Sequence, residues 1–235
     1  PVDDPKVTGA YGEWKDYNAY SDFISSEGVP VFYARVDHVS VPLAKEGTGQ
    51  VVVDFTPEPL TQDVSFVFHI EKTADVVVDS LTAEISGIPS TMELTTGLIL
   101  AQKTYKLLFR PTYAALPSAA DSASAEALRC EASVNIPGIV RSHTEDMVTG
   151  PGILQIAIYT HYDYEEEGTQ RKAAKVFHAG INLYHTLKER KSLQWDEEEN
   201  GYRQASRSIT VEIGSPLNID KDGILNGGST STGLD

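Results

Sequence analysis

The sequence predicts an all-β fold of antiparallel strands packed as a sandwich, and three neighbouring segments carry that expectation. Residues 61–71 alternate strictly: Val64, Phe66, Phe68 and Ile70 fall on one side, Ser65, Val67 and His69 on the other. Residues 75–85 are rich in Val and Thr. Residues 103–110 place Tyr105, Leu107 and Phe109 on one side. A period of two with β-branched and aromatic residues is what a half-buried strand needs, because successive side chains point to opposite faces. The stretch Ile85-Ser86-Gly87-Ile88-Pro89 predicts a loop between the second and third of these strands.

The remaining elements follow in chain order. Residues 1–28 mix Tyr11, Trp14, Tyr17, Tyr20 and Phe23 with Gly, Asp and Ser, and read as loop with one short helical turn. Gly28-Val29-Pro30 leads into a short strand at 31–36, and Gly47-Thr48-Gly49 precedes another at 50–55. Pro57-Glu58-Pro59 favours an extended linker, so a domain boundary is placed there, giving domains 1–56 and 57–235. After the three strands above, residues 112–127 read as an exposed Ala/Ser/Pro-rich connection, with a short helix at 122–128. A strand at 129–136 is stopped by Pro137-Gly138. Residues 153–161 are an almost unbroken apolar run, as expected of a central strand. Residues 172–181 predict a further strand, and 182–190 a helical turn or bend. Segments 193–195 and 205–213 flank a tip at 196–201 that holds the hairpin cue Asn200-Gly201. Residues 214–235 are rich in Gly, Ser and Thr and predict irregular chain.

The bulk composition narrows the function classes. A chain of 235 residues with 40% hydrophobic content can bury a real core. Its formal net charge of −15 repels phosphate backbones and anionic lipid. Part of the acidity is clustered, at Glu165-Glu166-Glu167 and Asp196-Glu197-Glu198-Glu199, and both clusters read as solvated loop tips. The one cysteine, Cys130, can form neither an internal disulfide nor a Cys-rich zinc site. It reads as a small buried filler within a strand. The chain opens with Pro1-Val2-Asp3-Asp4-Pro5 rather than Met, which reads as a processed product whose targeting signal and lipid-bearing residue lie upstream.

Few residues are arranged for chemistry. The sharpest local pattern is Asn218, Asp220, Asp222, Gly223 and Ile224, in which oxygen-bearing residues alternate before a Gly. Calcium loops use that spacing, because alternate side chains point inward and Gly permits the bend. The bidentate carboxylate that should close such a loop falls on Ser229, so Asn218, Asp220, Asp222 and Ile224 form a weak calcium candidate beside an ordinary Asp-Gly turn. His161-Tyr162-Asp163 and His143-Thr144-Glu145-Asp146 have short spacings but no HExxH-like frame. No Gly-x-Ser-x-Gly, Walker loop or GxGxxG is present. The expectation is a protein that is not an enzyme and holds no catalytic residue and no cofactor, calcium aside.

The ordered series of 31–35, Val39-Ser40-Val41-Pro42, 51–57 and 64–70, continued by 81–89 and Leu94-Thr95-Thr96-Gly97, resembles the Bacteroidetes fimbrillin-like lipoproteins, in particular a branch related to the minor, anchor-type fimbrial subunits. The resemblance covers 31–97 and is weaker over 129–213. It implies two tandem transthyretin-like antiparallel β-sandwich domains, export, and a place at the outer membrane or cell surface through a lipid anchor outside this chain. It implies a fimbrial subunit, anchor or adhesin that works through sheet edges and loops, with other fimbrial subunits or a host or glycan surface as partners. The chain departs from the family in lacking an N-terminal cysteine, and its first domain is short of strands. Donated strands build such assemblies, and an open edge is where a strand is added. The alternative is a surface carbohydrate-binding module using Tyr11, Trp14, Tyr17 and Tyr20 as an aromatic platform, with Trp195 contributing elsewhere.

Overall fold

The computed structural model describes residues 23–24, 31–36, 38–40, 51–116, 125–221, 224–226 and 229–231. The chain is all-β. Its strands are β1 (Phe23–Ile24), β2 (Phe32–Tyr33), β3 (Glu58–Pro59), β4 (Gln62–Thr73), β5 (Val76–Met92), β6 (Ile99–Phe109), β7 (Thr112–Ala115) and β8 (Ala125–Ile136). They continue as β9 (Ile153–Glu166), β10 (Thr169–Asn182), β11 (Leu193–Asp196), β12 (Gly201–Gln204), β13 (Ser208–Glu212), β14 (Leu217–Ile219), β15 (Ile224–Asn226) and β16 (Ser229–Ser231). A seven-residue helix, α1 (Tyr184–Arg190), follows β10 and closes on Lys191 in the left-handed conformation.

Two large sheets share one core. The first runs β11-β12-β6-β5-β9-β10-β16, with β1 also on β6. The second runs β15-β14-β4-β8-β7, with β13 also on β4. A small ribbon pairs β2 with β3. The alternation of β4 is realised as expected: Val64, Phe66, Phe68 and Ile70 are fully buried. They face Leu81, Ala83 and Ile85 of β5 and Leu154, Ile156 and Ile158 of β9 within one cluster. Phe66 of the second sheet stacks on Phe109 of the first, centroids 5.0 Å apart, so the core is continuous from sheet to sheet. Burial of this largely aliphatic core is the main stabilising term of such a sandwich. The apolar run at 153–161 forms a central strand, flanked by β5 and β10. The hairpin cued by Asn200-Gly201 is β11–β12.

Several expectations are corrected. The predicted loop at 85–89 is the middle of a 17-residue strand. Gly87 and Pro89 mark two irregularities in its pairing with β6 rather than a reversal of the chain. Gly87 has φ +92°, and a Cβ there would lie 2.5 Å from the Val140 carbonyl oxygen, so the bulge is a glycine site packed against backbone. The expected helix at 122–128 fails over its described part, because Leu128 and Cys130 alternate with Arg129 along β8 and pair with β4. The sheet overrides the helical preference of an Ala-rich stretch. Residues 51–55 form no strand, and Val52 and Phe55 stand exposed. Of 31–36 only Phe32 and Tyr33 pair. The second arm of the 196–201 hairpin is β12, not 205–213. The segment predicted irregular after 214 contributes β14, β15 and β16. The sheets are also not purely antiparallel: β13 and β14 both run parallel to β4, and β1 parallel to β6.

Candidate functional site

The strand edges differ in a way that singles one out. β10 is paired by β16 only at His178, Ala179 and Gly180, so residues 169–177 form a free edge among the described residues. That edge carries Arg171, Lys172 and Lys175. Cations on an edge discourage a second chain from pairing, since a flat uncharged neighbour is what strand addition needs. β8 is the opposite case. β7 covers it at Leu128, Arg129, Cys130 and Glu131 and then turns away. The last five residues of the strand, Ala132-Ser133-Val134-Asn135-Ile136, pair among the described residues with β4 on one side only. They hold no charge and no proline. Val134 and Ile136 are buried in the core, which fixes the strand, while Ser133 is exposed. Of the other edges, β7 and β11 have four residues each, β13 has five and ends on Glu212, and the part of β6 that neither β12 nor β1 pairs among the described residues, 100–105, carries Lys103.

A polar cleft opens between the β2–β3 ribbon and the chain joining β12 to β13. Its volume is about 250 Å3, and Tyr33, Glu58, Leu60, Gly97, Arg203 and Arg207 are among its lining residues. Arg203 is locked: its Nε donates to Asp196 Oδ2 at 2.8 Å and one terminal nitrogen donates to the Thr96 carbonyl at 2.9 Å. Arg203 in turn holds the Asp196 carboxyl below the ordinary carboxylate range, aided by the backbone N–H groups of Glu199 and Glu198. A second, more apolar cleft of about 290 Å3 lies beside α1, where Leu183 and Thr186 face Ile213 and Leu217.

The residues flagged in the sequence are dispersed. Asn218 sits in β14 opposite Asn226 of β15, and Asp220 lies in the turn that follows. Ile224 opens β15, and Asp222 lies outside the described residues. The segment is thus a short irregular hairpin packed on β4 through β14. His161 and Asp163 share a face of β9, yet His161 Nδ1 bonds to Asp79 Oδ1 of β5 at 2.7 Å. Glu145 bonds to His185 of α1 rather than to its neighbour His143. Among the described residues, no three His, Cys, Asp or Glu side chains converge as metal ligands would. Cys130 is fully buried in the core, and burial pushes its thiol up to about 12. Tyr11, Trp14, Tyr17 and Tyr20 lie outside the described residues. Trp195 is 51% exposed and meets Tyr202 edge to face across the β11–β12 hairpin.

Two polar arrangements were not anticipated. Glu84 of β5 is 1% exposed and accepts from Lys106 Nζ at 2.7 Å. Burial raises its pKa, and the attraction of Lys106 only partly offsets this. Asn182 anchors a loop: its Nδ2 donates to the carbonyls of Thr144, Glu145 and Met147, while its Oδ1 accepts from Ser142 Oγ and from the Tyr184 N–H. No family model, curated protein or solved structure matches this chain.

Proposed function

We propose that this chain is a non-enzymatic cell-surface protein of the fimbrillin-like type, a fimbrial subunit, anchor or adhesin that associates with other subunits by backbone pairing. The observation that carries the reading is the uncharged free edge of β8 at residues 132–136, set against the cation-guarded edge of β10. An added strand there would gain main-chain hydrogen bonds along an edge already held rigid by Val134 and Ile136. The resemblance supplies the rest of the reading. The chain is exported and sits at the outer membrane or cell surface through a lipid anchor outside it. Residues 1–56 and 57–235 are two transthyretin-like domains in tandem, and neither a cofactor nor a catalytic group is involved.

The reading is tested by hydrogen exchange on the isolated chain and on fibres recovered from the cell surface. The expected result is fast exchange of the outward amides within 132–136 in the isolated chain and strong protection in the fibre. Unprotected amides at 132–136 in fibres that contain the chain would sink the edge-pairing reading.

A further inference from the structure

Tyr33, Glu58 and Arg207 are distant in sequence but line the same cleft. Arg203 and Gln204 form its fixed wall. Gln204 donates to the carbonyls of Leu60 and Pro137, and Arg203 donates to Asp196 and the Thr96 carbonyl, so internal bonds fix both side chains in place. The floor is Leu60, 3% exposed, and Gly97, at φ +69°. A Cβ on Gly97 would come within 3.3 Å of Leu60 Cδ2 and 3.9 Å of the Tyr33 hydroxyl, so this glycine keeps the floor clear beneath the phenol.

Three groups remain uncommitted. Among the described residues the Arg207 guanidinium, the Glu58 carboxylate and the Tyr33 hydroxyl make no hydrogen bond, and Arg207 and Glu58 make no ion pair with each other or with a neighbour. Opposite charges on one cleft that do not close on each other leave one strong donor and one strong acceptor facing a shared space. An anion placed there meets Glu58 and the net charge of −15. A cation meets two guanidinium groups. A neutral polyol meets neither penalty: its hydroxyls donate to the carboxylate and accept from the guanidinium, and such charge-assisted bonds are the stronger kind. The half-buried ring of Tyr33 adds an apolar surface with a polar tip, suited to a ligand with one face of C–H groups and a rim of hydroxyls. The volume of about 250 Å3 is below the roughly 300–1,000 Å3 of sites for drug-sized molecules, so the cleft suits one ring rather than an oligosaccharide.

We infer that this cleft binds a single neutral sugar ring, such as the terminal pyranose of a glycan, held by Arg207 and Glu58 beside Tyr33. The inference stands apart from edge pairing, since the cleft and the free part of β8 share no residue.

The test is a titration of the 15N-labelled chain with the methyl α-glycosides of glucose, galactose and mannose, followed by amide shifts. The expected result is saturable shifts at Thr96, Gly97, Ser206 and Arg207 with at least one of the three. Arg207→Ala and Glu58→Gln should each weaken that response roughly tenfold, as expected for loss of a hydrogen bond to a charged group. Both residues are exposed and internally unengaged, so both variants should keep the parent melting temperature, which separates loss of binding from loss of fold. No saturable shift with any of the glycosides overturns the proposal. So does a response unchanged in Arg207→Ala, one confined to the Trp195 hairpin or to residues 11–20, or one given by glycine and by none of the glycosides.

Discussion

At the scale of single residues, the chain's chemistry is set by where a charge is buried and where it is not. Glu84 lies under the outer face of the first sheet with 1% exposure, and its pKa is raised because burial penalises the charged form more than Lys106 favours it. Its folded value therefore exceeds its unfolded one. Below the ordinary value of 4.5 both states hold the proton and the group imposes no penalty. As pH rises from 4.5 through the folded value, the unfolded chain releases its proton first, and stability falls. The expected outcome is that the parent loses stability relative to Glu84→Gln over that window, with the gap constant above it. Urea denaturation of both proteins across the acid range measures it, and parallel pH profiles would refute the assignment. Little of this was legible beforehand. A lone Glu between Ala83 and Ile85 in a Val/Thr-rich strand gives no sign of which face it occupies until the bulges in β5 are known.

At the scale of elements, alternation was read correctly where the strand was regular and lost where it was interrupted. β4 follows period two without a break, and its inward residues were predicted one by one. β9 was read as a central strand from its apolar run, and the second half of β8 as a strand with no faces assigned. β5 was cut short at Gly87, because a glycine with a nearby proline signals a turn and a bulge in the same letters. β13 was read as a strand within 205–213 but given the wrong partner, and β14 was missed, because each has only a few residues and pairs with β4 from more than a hundred positions away. The free edge of β8 depends on where β7 stops, which is a property of two strands and not of either sequence. The loop at 142–147 depends likewise on one side chain, Asn182, which holds three of its carbonyls at 2.9 Å. Asn182→Ala should cost about 2–3 kcal/mol in chemical denaturation, since several hydrogen bonds lose their common partner. Asn182→Asp should cost more than Asn182→Ala. It keeps the bonds from Ser142 and Tyr184 but turns a carboxylate oxygen toward the three carbonyls. Equal stability of the Asp variant and the parent would show that the side chain does not hold the loop.

For the whole molecule, the all-β class was legible from composition and period, but the closing of the second sheet was not. β4 is strand-paired by β8 on one side and by β13 and β14 on the other, so its full burial needs a segment beyond residue 207. Truncation after Ser206 should strip one flank from Val64, Phe66 and Ile70 and abolish cooperative unfolding in a thermal scan. A sharp transition in the truncated chain would show that the sheet closes without its last strands. The cleft, too, exists only at this scale: the ribbon brings Tyr33 and Glu58 to Arg207, and no spacing in the sequence links them. The parallel course of β13 and β14 along β4 has a mechanical consequence. Tension that enters the sandwich just before β4 and leaves just after β14 pulls these strands in opposite directions along their length. The five register pairs of β13 and the three of β14 are then loaded together in shear, instead of being peeled apart in turn. The chain is thereby built as a clamp along that axis, hardest to open when it is pulled from those two points.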